Sequence, residues 1–155
     1  MIKVMFVCHG NICRSPMAEF LFKDFVKKKG EESEFFIRSS ATSSEEIGNG
    51  VHRGTRAILD RLNISYAGKV ATRLTKSDYD NYDYFIGMDS ANRYNMLRIF
   101  GGDPENKVSL MLDYTTTPRD VADPWYTGDF NQTYADIIRG INGFYEFLTS
   151  GKHIK

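Results

Sequence analysis

The chain has 155 residues but only two cysteines, Cys8 and Cys13, and three histidines, His9, His52 and His153. Two cysteines are too few for a disulfide scaffold or a Cys-rich zinc site, so a reduced, metal-free domain is expected. Neither sign of charge is in excess, because 20 Lys and Arg balance 20 Asp and Glu. A protein that coats DNA or RNA carries a basic surplus, so no nucleic-acid partner is expected. No apolar run approaches the roughly 18 residues of a membrane span, and no membrane partner is expected either. A secretory signal needs a longer apolar segment than Ile2–Val7, which gives way to polar residues by His9. The expectation is a cytoplasmic protein that uses no cofactor. Repeats, low-complexity stretches and Pro/Gly/Ser-rich linkers are also missing, so residues 1–155 read as one domain. With 41% apolar and 26% charged residues, the chain has the make-up of a globular protein.

What is there alternates between strands and helices. Ile2–Val7 is apolar apart from Lys3, as in a buried parallel strand. Ser15-Pro16 reads as an N-cap followed by a first-turn proline, opening a helix through Lys29 that Gly30 stops. Phe35–Ser40 is a second strand, 41–52 a polar loop, and Gly54–Asn63 a helix. Thr75 to Asp78 resembles a capping box that opens a short helix. Tyr82–Met88 is a third strand, and Asp89 or Ser90 caps a helix to Phe100. Val108–Leu112 is a fourth strand, followed by a long loop over 113–128. Asp129 to Gln132 starts a final helix to about Ser150, with Ile137, Ile141, Phe144 and Leu148 on one face. This order predicts an α/β fold: a four-stranded parallel sheet with helices on both faces. Ligands of such sheets bind beyond the carboxyl ends of the strands, which directs attention to 8–15, 39–52, 89–92 and 113–130.

The segment from Cys8 to Pro16 joins the first strand to the first helix, with Cys8 at its start and Arg14 six positions on. A tight loop entering a helix aims backbone N–H groups at one point, and the helix dipole adds positive potential. His9, Gly10, Asn11, Ile12, Cys13, Arg14 and Ser15 are therefore candidate anion contacts. Arg14 supplies a bidentate fork, and Gly10 and Asn11 tolerate left-handed backbone. The same field stabilises a Cys8 thiolate, with Ser15 placed to donate a hydrogen bond to it. A thiolate inside an anion cradle is a nucleophile aimed at phosphorus. The alternative is a small buried Cys8 and a surface Arg14. Its place after an apolar strand, together with Gly10, Asn11 and Ser15-Pro16, favours chemistry.

The segment resembles the phosphate loop of the low-molecular-weight protein tyrosine phosphatases. Ser39–Thr42, Gly48-Asn49, Ala71, Leu74-Thr75, Asp83-Tyr84, Met88–Asn92 and Asp123-Pro124 follow in that family's order. The resemblance implies hydrolysis of a phosphotyrosine-containing protein or peptide through a phosphocysteine, releasing inorganic phosphate. It makes Cys8, Arg14 and Asp123 the catalytic candidates, with Asp123 as general acid and then base. Asp123-Pro124 also suits a simple turn, and Asp113, Asp120 and Asp129 are nearby competitors. The resemblance casts Asn11, Ser15, Ser39, Asp89 and Asn92 as the network that holds the loop, although turn and cap chemistry alone would use the same residues. Ile12, Trp125 and Tyr126 become walls of the substrate site. It also implies a reversible Cys8–Cys13 disulfide, against the plainer reading of Cys13 as loop packing.

Two positions depart from the family pattern. Lys69 stands where many members carry a histidine, so one supporting hydrogen bond is expected to be missing. Glu45 stands where many carry a bulky residue; at the mouth it would favour basic peptide flanks. Ile12 leans towards phosphotyrosine, with phosphoarginine as the alternative on the same scaffold. Arsenate reduction needs further downstream cysteines, and none follows Cys13. A phosphocysteine carrier would lack the pairing of Arg14 with Asp123-Pro124, and a phosphopeptide-binding module would not need Cys8.

Overall fold

β1 (Ile2–Cys8) runs down the middle of the sheet because its side chains are apolar on both faces, and Val4 to Val7 are buried. The computed structural model describes residues 1–150, and His153 lies outside them. β2 (Phe35–Ala41), β3 (Tyr84–Gly87) and β4 (Val108–Leu110) complete a four-stranded sheet in the order β2-β1-β3-β4. Every pairing is parallel, with Cys8 opposite Ala41 and Val7 opposite Gly87. α1 (Arg14–Lys28), α2 (Arg53–Arg61), α3 (Ser90–Phe100), α4 (Pro124–Thr127) and α5 (Phe130–Thr149) connect and cover the strands. The fold class read from the sequence is the one observed.

Alternation along β1 divides the core. Val4, Phe6 and Cys8 face α1, α2 and α5 in one cluster, while Met5 and Val7 join Phe85, Met96 and Phe100 in another. The predicted stripe on α5 is buried throughout, from Ile137 through Ile141 and Phe144 to Leu148. α5 lies so close to the 3-10 turn Met111–Tyr114 that a Cβ on Gly143 would sit 1.9 Å from the Tyr114 carbonyl oxygen. Successive strands are added first on one side of β1 and then on the other, so the chain changes direction between β1 and β3. At that switch point the loops leave towards opposite faces and open a crevice. There Cys8 ends β1 and Met88-Asp89 follow β3.

Several boundaries differ from the sequence reading. α1 begins at Arg14 with Cys13 as its N-cap residue, and no side chain caps it. Ser15 therefore lies inside the first turn, and its hydroxyl is free for the loop. β4 stops at Leu110 because Asp113 accepts the Leu110 N–H and turns the chain into Met111–Tyr114. The 113–128 loop also contains α4, capped by Asp123 and ended by left-handed Gly128. The Thr75/Asp78 capping box is present, but it opens a 3-10 turn, Lys76–Asn81. Among the described residues no helix is long and apolar enough to cross a membrane.

Candidate active site

Beyond the β1 end lies a cavity of about 400 Å³, with Cys8, Ile12, Cys13 and Arg14 among its walls. Asn11 makes the loop possible: its φ of 59° is left-handed, a conformation asparagine tolerates better than most residues. Its side chain fixes that turn from three directions. Nδ2 donates to Ser15 Oγ at 2.7 Å and Ser39 Oγ at 2.9 Å, and Oδ1 accepts from Thr72 N at 3.1 Å. Because Asn11 donates to Ser15 Oγ, the Ser15 proton is left for Cys8 Sγ, 3.0 Å away. The Ser15 backbone N–H also points at this sulfur, at 3.4 Å. Among the described residues, the backbone N–H groups of 9–13 find no protein acceptor.

The network continues inward. Ser39 Oγ donates to Glu19 Oε1 at 2.5 Å, so Ser39 must accept from Asn11. Glu19 is buried on α1 and paired with Lys23 four residues on. Lys69 corrects the expectation of a missing bond. Its Nζ donates to the Ser39 carbonyl at 3.0 Å and lies 3.7 Å from Glu19. Burial lowers the Lys69 pKa, with Glu19 opposing the shift. Sequence reading passed over Glu19, although a lone carboxylate between Ala18 and Phe20 on an apolar helix face, with Lys23 one turn away, is a detectable signal.

Arg14 is almost wholly buried. Its Nη1 donates to Asp89 Oδ2 and to the Val121 carbonyl, both at 2.8 Å, and Nη2 lies 3.4 Å from Asp123 Oδ2. Burial works against its charge, but Cys8, Asp89 and Asp123 outweigh that and raise its pKa above the ordinary arginine value. Asp89 also caps α3 by accepting from Asn92 N, and Asn92 Oδ1 accepts from Met88 N and Asp89 N. Asn92 thus belongs to the β3–α3 turn and reaches the loop only through Asp89 and Arg14.

Of the four acids in the loop before α5, only Asp123 lines the cavity. Asp113 closes the turn after β4 and pairs with Arg93, Asp120 accepts from Ser90, and Asp129 caps α5. Asp123 Oδ1 accepts from Trp125 N at 3.0 Å, which leaves Oδ2 towards Arg14. Trp125 and Tyr126 form the exposed outer wall. Glu45 and Glu46 form the facing rim, where Glu45 lies 3.2 Å from His9 Nε2. Glu46 went unnoticed in the sequence because only tertiary docking of the 41–52 loop brings it here. Cys13 is a buried free thiol whose pKa burial, then the Cys8 and Asp123 charges, push up to about 12. Among the described residues, no three His, Cys, Asp or Glu side chains gather where a metal ion could be held.

Residues 3–153 match the family model described as low molecular weight phosphotyrosine protein phosphatase. The low molecular weight protein-tyrosine-phosphatase YfkJ of Bacillus subtilis is 42% identical over 142 residues, covering 90% of this chain and 91% of its own. The crystal structure of YfkJ superimposes with a TM-score of 0.92 at 39% identity, covering 100% of this chain and 97% of that one. A low molecular weight protein tyrosine phosphatase from Streptococcus pyogenes matches with a TM-score of 0.87, also at 39% identity, over 99% of this chain and 97% of its own. With the match spanning nearly the whole sequence, the chain belongs to the low molecular weight phosphotyrosine protein phosphatase family.

Proposed function

We propose that the chain hydrolyses phosphotyrosine in proteins or peptides through a phosphocysteine at Cys8, in the cytoplasm and without a cofactor. The observation that carries this reading is the meeting of Cys8, Arg14 and Asp123 in one cavity beneath an aromatic wall. The Cys8 thiolate attacks phosphorus while Asp123 gives its proton to the departing tyrosine oxygen. Water, deprotonated by Asp123, then cleaves the S–P bond and releases inorganic phosphate. Arg14 and the N–H groups of the loop hold the phosphoryl oxygens. Ser15 directs its hydroxyl at the sulfur, which favours the thiolate both as attacker and as leaving group.

Ile12 and Trp125 suit the flat ring of phosphotyrosine. Glu45 and Glu46 at the rim favour basic residues flanking it. Cys13 serves as a resolving thiol: peroxide oxidises Cys8 to a sulfenic acid, and Cys13 displaces the hydroxyl as water to form a disulfide. The first oxidation also removes the Cys8 charge that helps hold Cys13 as a thiol.

Release of p-nitrophenol from its phosphate without added metal tests the central claim. Wild type should turn over and Cys8→Ser should not, while Cys8→Ser still binds vanadate. Turnover by Cys8→Ser would overturn the phosphocysteine. Assaying phosphotyrosine and phosphoarginine side by side checks the substrate class, and preference for phosphoarginine would reverse it.

A further inference from the structure

His52 stands between the loop and the aromatic wall, and nothing in the proposed chemistry uses it. Its backbone N–H donates to the Ile12 carbonyl at 2.8 Å, tying it to the phosphate loop. Its Nδ1 accepts from Gly54 N at 3.0 Å and caps α2. Its ring stacks on Phe130, with centroids 5.1 Å apart and planes within 11°. Its ring also meets the Trp125 ring edge to face, at 5.7 Å and 70°. Phe130 in turn packs on Ile12, Cys13 and Ala71 and covers Gly54, where a Cβ would lie 2.4 Å from its ring.

A helix cap alone does not call for this residue. Asp, Asn or Ser would accept the Gly54 N–H as well, with less bulk. The imidazole is needed only for the ring contacts. Beyond its backbone bond to Asp123, Trp125 has little other anchorage: α4 is four residues long, Pro124 is its only buried member, and Trp125 itself is 58% exposed. The line Trp125–His52–Phe130 therefore fixes how the outer wall stands over the cavity.

We propose that His52 is a positioning residue that holds Trp125 against the substrate's ring, and so sets affinity for aryl phosphomonoesters without touching the phosphate. The proposal rests on the reading of this cavity as a phosphotyrosine site. It has a protonation signature of its own. Nδ1 is an acceptor, so the ring proton sits on Nε2, and a second proton would face the Gly54 N–H. Burial, then Arg53 and Arg56 on α2, hold the His52 pKa below its ordinary 6.5, while Glu46 from the loop after β2 opposes them. From α4 and α5, the Trp125 and Phe130 rings face it. The brace is thus uncharged at neutral pH.

The test uses wild type, His52→Asn, which keeps a cap and loses the ring, and His52→Phe, which keeps a ring and loses the cap. Trp125 is the only tryptophan in the chain, and a protonated imidazole in contact quenches indole emission. Wild-type emission should fall in one step with a midpoint below pH 6.5, and the step should vanish in His52→Asn. For His52→Asn, KM for phenyl phosphate should rise about 3- to 10-fold, as expected for one lost aromatic pair. Its kcat and its inhibition by inorganic phosphate should stay within about twofold of wild type, and His52→Phe should restore most of the KM. The same emission titration in wild type and His52→Asn overturns the proposal. So does phosphate inhibition that weakens in step with KM, or a failure of phenylalanine to restore it. If His52→Asn does not fold, absence of the wild-type emission step is itself the refutation, and its presence with a normal KM in His52→Phe is support. An inactive wild type would sink the phosphotyrosine reading instead, because the emission step needs no turnover.

Discussion

Replacing Asn11 tests the phosphate loop at the point where backbone and side chain depend on each other. Asn11→Ala removes three hydrogen bonds from a residue only 1% exposed. At about 0.5–1.5 kcal/mol each, they contribute about 1.5–4.5 kcal/mol. Alanine must also adopt the φ of 59°, at a cost of about 1–2 kcal/mol. The total, about 2.5–6.5 kcal/mol, should lower the melting temperature by on the order of 10–20 °C in a domain this size. Asn11→Gly loses the same bonds but takes the left-handed backbone freely, offset by about 0.4–1 kcal/mol of extra unfolded-state entropy. Glycine should therefore be more stable than alanine by about 0.5–1 kcal/mol. Both variants free Ser15 to turn its hydroxyl away from Cys8. A hydrogen bond to a charged group is worth about 1.5–3 kcal/mol, so kcat should fall by about 10- to 150-fold in each. Urea unfolding and p-nitrophenyl phosphate turnover measure the two effects separately. Alanine equal to or more stable than glycine would refute the backbone argument. Near-normal turnover in both would refute the claim that Asn11 orients Ser15.

Four other changes probe different parts of the molecule. Asp123→Asn keeps a capping oxygen for Trp125 N but loses the acid; kcat should drop by about 10²- to 10⁴-fold on phenyl phosphate and much less on p-nitrophenyl phosphate, and equal losses would remove Asp123 from proton transfer. Glu45→Gln should narrow the preference for basic- over acidic-flanked phosphotyrosine peptides, measured as a ratio of kcat/KM, and an unchanged ratio would sink the rim's role. Gly143→Ala drives a Cβ into the Tyr114 carbonyl and should cost about 3 kcal/mol or more in urea unfolding; a loss under about 1 kcal/mol would contradict the close packing of α5. Cys13→Ser should recover less activity than wild type when thiol is added after peroxide, and equal recovery would dismiss the protective disulfide.

The fold was legible because its main signals are local. The apolar run Ile2–Val7, the stripe on α5 and the Asp129 cap each follow from residues close in sequence. The loop from Cys8 to Ser15 was legible for the same reason. Ser15 was misread as a cap because Ser-Pro carries that signal wherever it occurs, whereas here the loop's tertiary brace starts the helix earlier. Met111 and Leu112 read as strand because they are apolar; the turn depends on Asp113 reaching back to Leu110. α4 is too short for any periodicity to show. Glu46, Lys69 and His52 act across the chain, and no spacing rule links His52 to Trp125 or Phe130.

The cap on α4 joins two features that are usually treated as separate. The Asp123 carboxylate holds the Trp125 backbone through one oxygen and faces Arg14 with the other. The group proposed to move a proton and the ring proposed to grip the substrate are thus two ends of one short lever. A proton arriving on Asp123 weakens the bond that seats Trp125, and its departure tightens that bond again. The substrate wall would then be clamped in step with the chemistry, loosest when Asp123 is ready to donate and firmest just after the leaving group has departed. Truncating Asp123 to alanine would break this lever at both ends, so only a residue that still caps, such as asparagine, can separate the loss of the proton from the loss of the grip.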